Sequence, residues 1–202
     1  MANIESAVVV YLRELYYPGG FTFPIVNPPL NISLVEIGRE AATIILLLSA
    51  AKLAFKKPLH QFCVFMYCFG VWDIFYYIWL YVFLGWPESL LTWDILFLIP
   101  LPWLGPVLAP VIVSISMIIA AVIILKLENS GIQFRIKPWH WAVTIAAGLI
   151  IILSFVIDYK VVTEGTVPET FKWGIFLFGE ILGIAVFVFA MIKSLQYSKS
   201  VV

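Results

Sequence analysis

From His60 to Leu84 the chain runs for 25 residues with one acidic or basic charge, Asp73, and no proline. As a helix rising ~1.5 Å per residue, such a run is long enough to cross a hydrocarbon core of ~30 Å. Composition points the same way. Of 202 residues 63% are apolar and 12% charged, and the mean hydropathy is +1.04, which leaves too little polar surface for a domain that faces water on all sides. Membrane lipid is therefore the expected surrounding. The 12 basic and 12 acidic residues cancel, so neither a nucleic-acid partner nor an acidic solvating tail is indicated.

Apolar runs and punctuation predict an all-α, polytopic membrane protein with five spans at 33–55, 60–84, 104–127, 139–158 and 167–194, together forming a bundle over 33–202. Two capping-box patterns, Ser33-Leu34-Val35-Glu36 and Thr166-Val167-Pro168-Glu169, open the first and fifth spans. Residues 1–32 form an arm. Ile4, Val8, Leu12 and Leu15 have helical spacing, but a helix over 4–17 is only about 20 Å long, so it is expected to lie in the interface. The stretch from Pro18 to Pro29, with four prolines and two glycines, reads as an extended connection. Between spans 2 and 3, prolines at 100, 102, 106 and 110 forbid a regular spanning helix, and an interfacial or re-entrant helix starting near Pro87 is expected.

Basic residues set the orientation. Lys52, Lys56, Lys57, Lys126, Arg135, Lys137, Lys193 and Lys199 place eight of twelve on one side, expected to be cytoplasmic, with the N-terminus outside and the C-terminus inside a bacterial inner membrane. Trp86, Trp93, Trp103, Trp139, Trp141 and Trp173 fall near span ends, as in interfacial belts. No cleaved signal peptide is expected, because Arg13 and Glu14 interrupt the first apolar run. Cys63 and Cys68 lack a CxxC spacing and read as core residues rather than a disulfide or zinc pair.

The acids out of place are the candidate functional residues. Asp73 lies near the middle of span 2 and Glu180 near the middle of span 5, and an ionisable group at that depth is costly unless protonated, paired or hydrogen-bonded. Gly70, Tyr76 and Tyr77 share the Asp73 face at helical spacing. Glu180 stands within Gly179-Glu180-Ile181-Leu182-Gly183, a GxxxG pattern that admits a close neighbouring helix. Glu36 and Glu40 share a face of span 1 beside Arg39, the nearest candidate cation. Asp94 repeats in Trp93-Asp94 the pair Trp72-Asp73, although a turn or cap explains it equally. As one group, the four acids Asp73, Glu180, Glu36 and Glu40 against Arg39 would require protons or a bound cation.

His60 and His140 each follow a Lys-Pro-x sequence at the start of a span and offer a pair of haem ligands, but each feature is also expected without a cofactor. No ExxH spacing of the di-iron kind occurs, so no metal site is expected. Walker A, nucleophile-elbow, HExxH and dinucleotide motifs are absent, and no recognisable catalytic motif marks an enzyme. Two functions remain. The first is a small subunit of a larger membrane complex, with a bioenergetic complex as one candidate setting, associating with other membrane subunits or with itself; five spans without a repeat favour it. The alternative is a proton- or cation-coupled carrier, or a membrane-embedded enzyme, using Asp73 and Glu180.

Overall fold

The computed structural model describes residues 1–22, 26, 28–99, 101–160, 166 and 170–201. Helices dominate: α1 (Ala2–Tyr16), α2 (Leu30–Ala54), α3 (Pro58–Leu84), α4 (Leu108–Asn129), α5 (Pro138–Val156) and α6 (Trp173–Val201). A hairpin of β1 (Trp93–Phe97) and β2 (Trp103–Pro106) separates α3 from α4. Four of the helices, α3 to α6, are long and apolar enough to cross a membrane. α2 has the length, but Glu36, Arg39 and Glu40 make its first half polar.

Helix boundaries follow local chemistry. α3 and α5 start with Pro58 and Pro138 in the first turn, where a missing N–H removes no helical bond. Gly85 ends α3 with φ +65°, a left-handed conformation that glycine adopts without a Cβ penalty, and its N–H bonds the Tyr81 carbonyl. The expected capping box at Ser33 does not form. α2 starts three residues earlier, directly after Pro29, so Ser33 is already inside the first turn and its hydroxyl turns back to the Pro29 carbonyl at 3.4 Å. Glu36, freed from that role, pairs with Arg39. The second capping pattern falls on residues 167–169, outside the described residues, and α6 starts at Trp173 rather than 167 because 170–172 are not helical.

The helix expected near Pro87 is a correction of type. Trp93 pairs with Pro106, Asp94 with Gly105 and Ile95 with Leu104 in an antiparallel ladder, with an irregularity before Phe97–Trp103. A short apolar, aromatic run between prolines suits a strand as well as a helix, and Pro106 is tolerated in an edge strand. The hairpin is anchored by Trp103, stacked on Phe155 of α5 with ring centroids 5.8 Å apart, inside a cluster that includes Phe171 and Phe176.

Two helix pairs, α3–α4 and α5–α6, form the body, with α1 and α2 both packed on α3. α3 and α4 run antiparallel: Lys57 and His60 at the start of α3 reach Glu128 at the end of α4, at 3.4 and 3.2 Å. Arg135 N–H donates to Ser194 Oγ at 2.9 Å, joining the α4–α5 loop to the end of α6. Close approach between helices occurs at two glycines. A Cβ on Gly179 would lie 2.9 Å from the Ala147 carbonyl oxygen, and one on Gly70 2.7 Å from that of Ser114. At Gly183 the same atom would meet Ala147 Cβ at an ordinary 3.7 Å. Cys63 is fully buried, and both cysteines are free.

Candidate functional site

A cavity of about 430 Å³ lies where α1, α2, α3 and β1 converge. Each element delivers charge to it. α3 turns Trp72, Asp73, Tyr76 and Tyr77 toward it; α2 contributes Glu36, Arg39 and Glu40; β1 contributes Asp94; α1 contributes Glu5 and Arg13. Five carboxyls and two guanidiniums therefore share one enclosure.

Both arginines are engaged. Arg39 bridges two elements, pairing with Glu5 of α1 and with Glu36 of its own helix, the latter through Nη2 at 2.7 Å and Nε at 2.9 Å. Thr43 Oγ1 donates to the other oxygen of Glu5 at 3.2 Å. Arg13 Nη2 reaches Asp94 Oδ1 at 3.3 Å, and its guanidinium lies over the Trp86 ring, 3.6 Å from the centroid, with Phe21 at 4.6 Å. Such stacking favours a planar, weakly hydrated cation.

The remaining carboxyls meet neutral donors. Glu40 receives the Leu98 backbone N–H on both oxygens at 3.0 Å, and Asp73 Oδ2 accepts from Ser114 Oγ of α4 at 2.8 Å. Asp94 is 3% exposed, and its Oδ2 has no donor in strict hydrogen-bonding geometry among the described residues, although the Tyr77 hydroxyl is close enough to act as a donor to the carboxyl. Burial pushes the Asp94 carboxyl up to about 6, partly offset by the Arg13 guanidinium. The indole Nε1–H of Trp72 is also buried, without an acceptor among the described residues. Over the cavity, the Val26 N–H donates to Tyr17 Oη at 2.8 Å.

Of the residues singled out from sequence, Asp73, Tyr76, Tyr77, Glu36, Arg39, Glu40 and Asp94 come together here. Glu180 does not. It is buried on α6, beside a second cavity bounded by α3, α4, α5 and α6, with Oε1 unpaired among the described residues. His60 is tied to Glu128, and His140 Nδ1 accepts the Lys137 N–H at 2.9 Å, closing the first turn of α5; only His140 lines that second cavity. Among the described residues no group of three or more His, Cys, Asp or Glu has the geometry of a metal site.

Sequence reasoning missed Glu5, Arg13 and Ser114 as members of the site. Glu5, Val9, Leu12, Arg13 and Tyr16 all line the cavity, and their spacing is that of a single helical face. That stripe was readable; its two charges are what distinguish it from an apolar interfacial face. Ser114, a serine in an apolar helix, carried no such signal.

No protein-family model matches the chain, and comparison with curated proteins and with solved structures likewise returns no match. The fold defines a mostly helical protein with four helices suited to a membrane, and the chemistry of the cavity carries the functional conclusion.

Proposed function

We propose that this is an integral membrane protein of five spans that binds and exchanges protons or a small cation at the α1–α2–α3–β1 cavity, as a coupled carrier or a membrane-embedded enzyme. The observation that carries this is the charge balance of one enclosure: five carboxyls from four elements against two arginines, each already paired. The excess negative charge is met most simply by protons or by a bound cation. Pairing of α2's polar half with α1 and the hairpin supports α2 as the fifth span, since Glu36, Arg39 and Glu40 then face protein rather than lipid. With the eight basic residues cytoplasmic, the cavity opens to the outer half of a bacterial inner membrane, and the N-terminus lies outside. In this scheme Asp73, at the inner end of the group and hydrogen-bonded across to α4, is the deepest exchanging carboxyl.

Reconstitution tests this. Liposomes carrying the protein, given a pH or potassium gradient, should dissipate it faster than empty liposomes, and Asp73→Asn should return the rate to the empty level. Equal rates for empty, wild-type and Asp73→Asn liposomes would remove the exchange function. A subunit of a larger assembly is the second reading, favoured by α2, which packs chiefly on α3 and leaves Leu34, Val35, Ile45, Leu46 and Leu53 exposed. Native mass of the protein extracted from its own membrane separates the two, because a subunit co-migrates with other chains at fixed stoichiometry.

A further inference from the structure

The pairs α3–α4 and α5–α6 enclose the second cavity, about 610 Å³ in volume. Its walls are apolar, with Met66, Ile123, Ile151 and Phe187 among them. From His140 to Ile151 the α5 wall rises ~16 Å, about half of a ~30 Å hydrocarbon core. The groove thus has the length of a single leaflet.

Its polar end has a defined sense. Because the Lys137 backbone N–H donates to His140 Nδ1, that nitrogen carries a lone pair, and the neutral ring holds its proton on Nε2. His140, 4% exposed, lines the groove, and its buried Nε2 has no partner among the described residues. A buried N–H without an acceptor is unfavourable, so a ligand that supplies one is held there. Directly outside, Arg135 and Lys137 are exposed, at the end of the molecule where most basic residues gather. An acceptor at the hydrocarbon boundary, an anion just beyond it and one long apolar chain describe a membrane phospholipid.

We propose that this groove binds one acyl chain of an anionic phospholipid from the leaflet on the basic side, its ester carbonyl accepting from His140 Nε2–H and its phosphate facing Lys137 and Arg135. Glu180 stands at the far, midplane end and does not hold the head.

Gly148 offers a clean test, since it lines the groove and a Cβ there meets nothing within 4 Å. Gly148→Leu sends an isobutyl side chain into the groove from a wall where its Cβ meets no neighbour, and Gly148→Ala serves as control. Full-length protein in mild detergent is titrated with phosphatidylglycerol or with phosphatidylcholine, and bound lipids are counted by native mass spectrometry. Wild type and Gly148→Ala should retain one phosphatidylglycerol in preference to phosphatidylcholine. Gly148→Leu should lose that lipid, and His140→Phe should weaken it about tenfold, the effect of one lost hydrogen bond. Equal retention by wild type and Gly148→Leu overturns the proposal, as does retention indifferent to headgroup charge. Loss on Glu180→Gln but not on His140→Phe also overturns it, by placing a polar head at the midplane. A dimer without bound lipid would assign the groove to a second copy instead.

Discussion

Asp94 is held by Arg13 through one oxygen, while its other oxygen is buried with no donor in strict hydrogen-bonding geometry among the described residues. Its carboxyl at about 6 stands above the ~3.9 of an unfolded chain. The sign of the linkage follows: protonation favours the folded state, so this contribution is full below ~3.9 and is lost as pH rises through about 6. Thermal unfolding in detergent should therefore show the advantage of wild type over Asp94→Asn greatest below about pH 4 and shrinking by on the order of 2–3 kcal/mol between about pH 4 and about pH 6. A difference independent of pH would show that burial does not hold the carboxyl up. Asp73 and Glu180 illustrate what depth in a sequence conveys. Counting residues along a helix put both near the middle of a membrane, but depth says nothing about azimuth or lateral position. The two acids face different cavities for that reason.

At the scale of elements, packing and site meet on α3. Gly70 lets α4 approach so closely that a Cβ would lie 2.7 Å from the Ser114 carbonyl, and Ser114 is the donor to Asp73. Gly179 plays the corresponding part between α5 and α6, whereas Gly183 has room. Gly179→Val should cost about 1–3 kcal/mol by forcing backbones apart, while Gly183→Ala stays within about 0.5 kcal/mol of wild type. Melting temperatures of the two variants decide it, and equal losses would mean that the α5–α6 contact is looser than the geometry states. Although α6 starts six residues later and ends seven residues later than expected, apolar run length made α3, α4 and α5 legible to within about four residues. The hairpin was not, because a run such as Trp93-Asp94-Ile95-Leu96-Phe97 has no periodicity that separates strand from helix, and the prolines around it only exclude a long helix. α1 was readable as a helix but not as a wall of the site, since its tie to α3, Ser6 Oγ lying 3.0 Å from the Tyr76 carbonyl, is a tertiary contact.

The whole molecule is asymmetric in charge. Lys57, Lys126, Arg135, Lys137 and Lys193 lie toward one end of the helix stack, joined there by the Glu128 and Ser194 contacts, while the acid-rich cavity lies toward the other. That asymmetry predicts orientation. A single cysteine introduced at Gln133, exposed in the loop after α4, should be shielded from a membrane-impermeant thiol reagent in intact cells and labelled after lysis, in a background where Cys63 and Cys68 are serine. Labelling in intact cells would invert the topology and place the cavity on the cytoplasmic side. The gathering of basic residues at one end was legible in the sequence, as was the suspicion attached to Glu36, Arg39, Glu40 and Asp73. Their convergence with Asp94, Glu5 and Arg13 depends on three elements folding against α3, which no local pattern encodes.

The most direct measurement is infrared difference spectroscopy of the protein in lipid, recorded as pH is stepped and as potassium is added, for wild type and Asp73→Asn. Exchange at the cavity predicts a carboxylic-acid C=O band that responds to pH and to the cation and disappears in Asp73→Asn. A spectrum in which no carboxyl band responds, or in which the responding band survives unchanged in Asp73→Asn, would leave the cavity acids as fixed structural links and contradict the account.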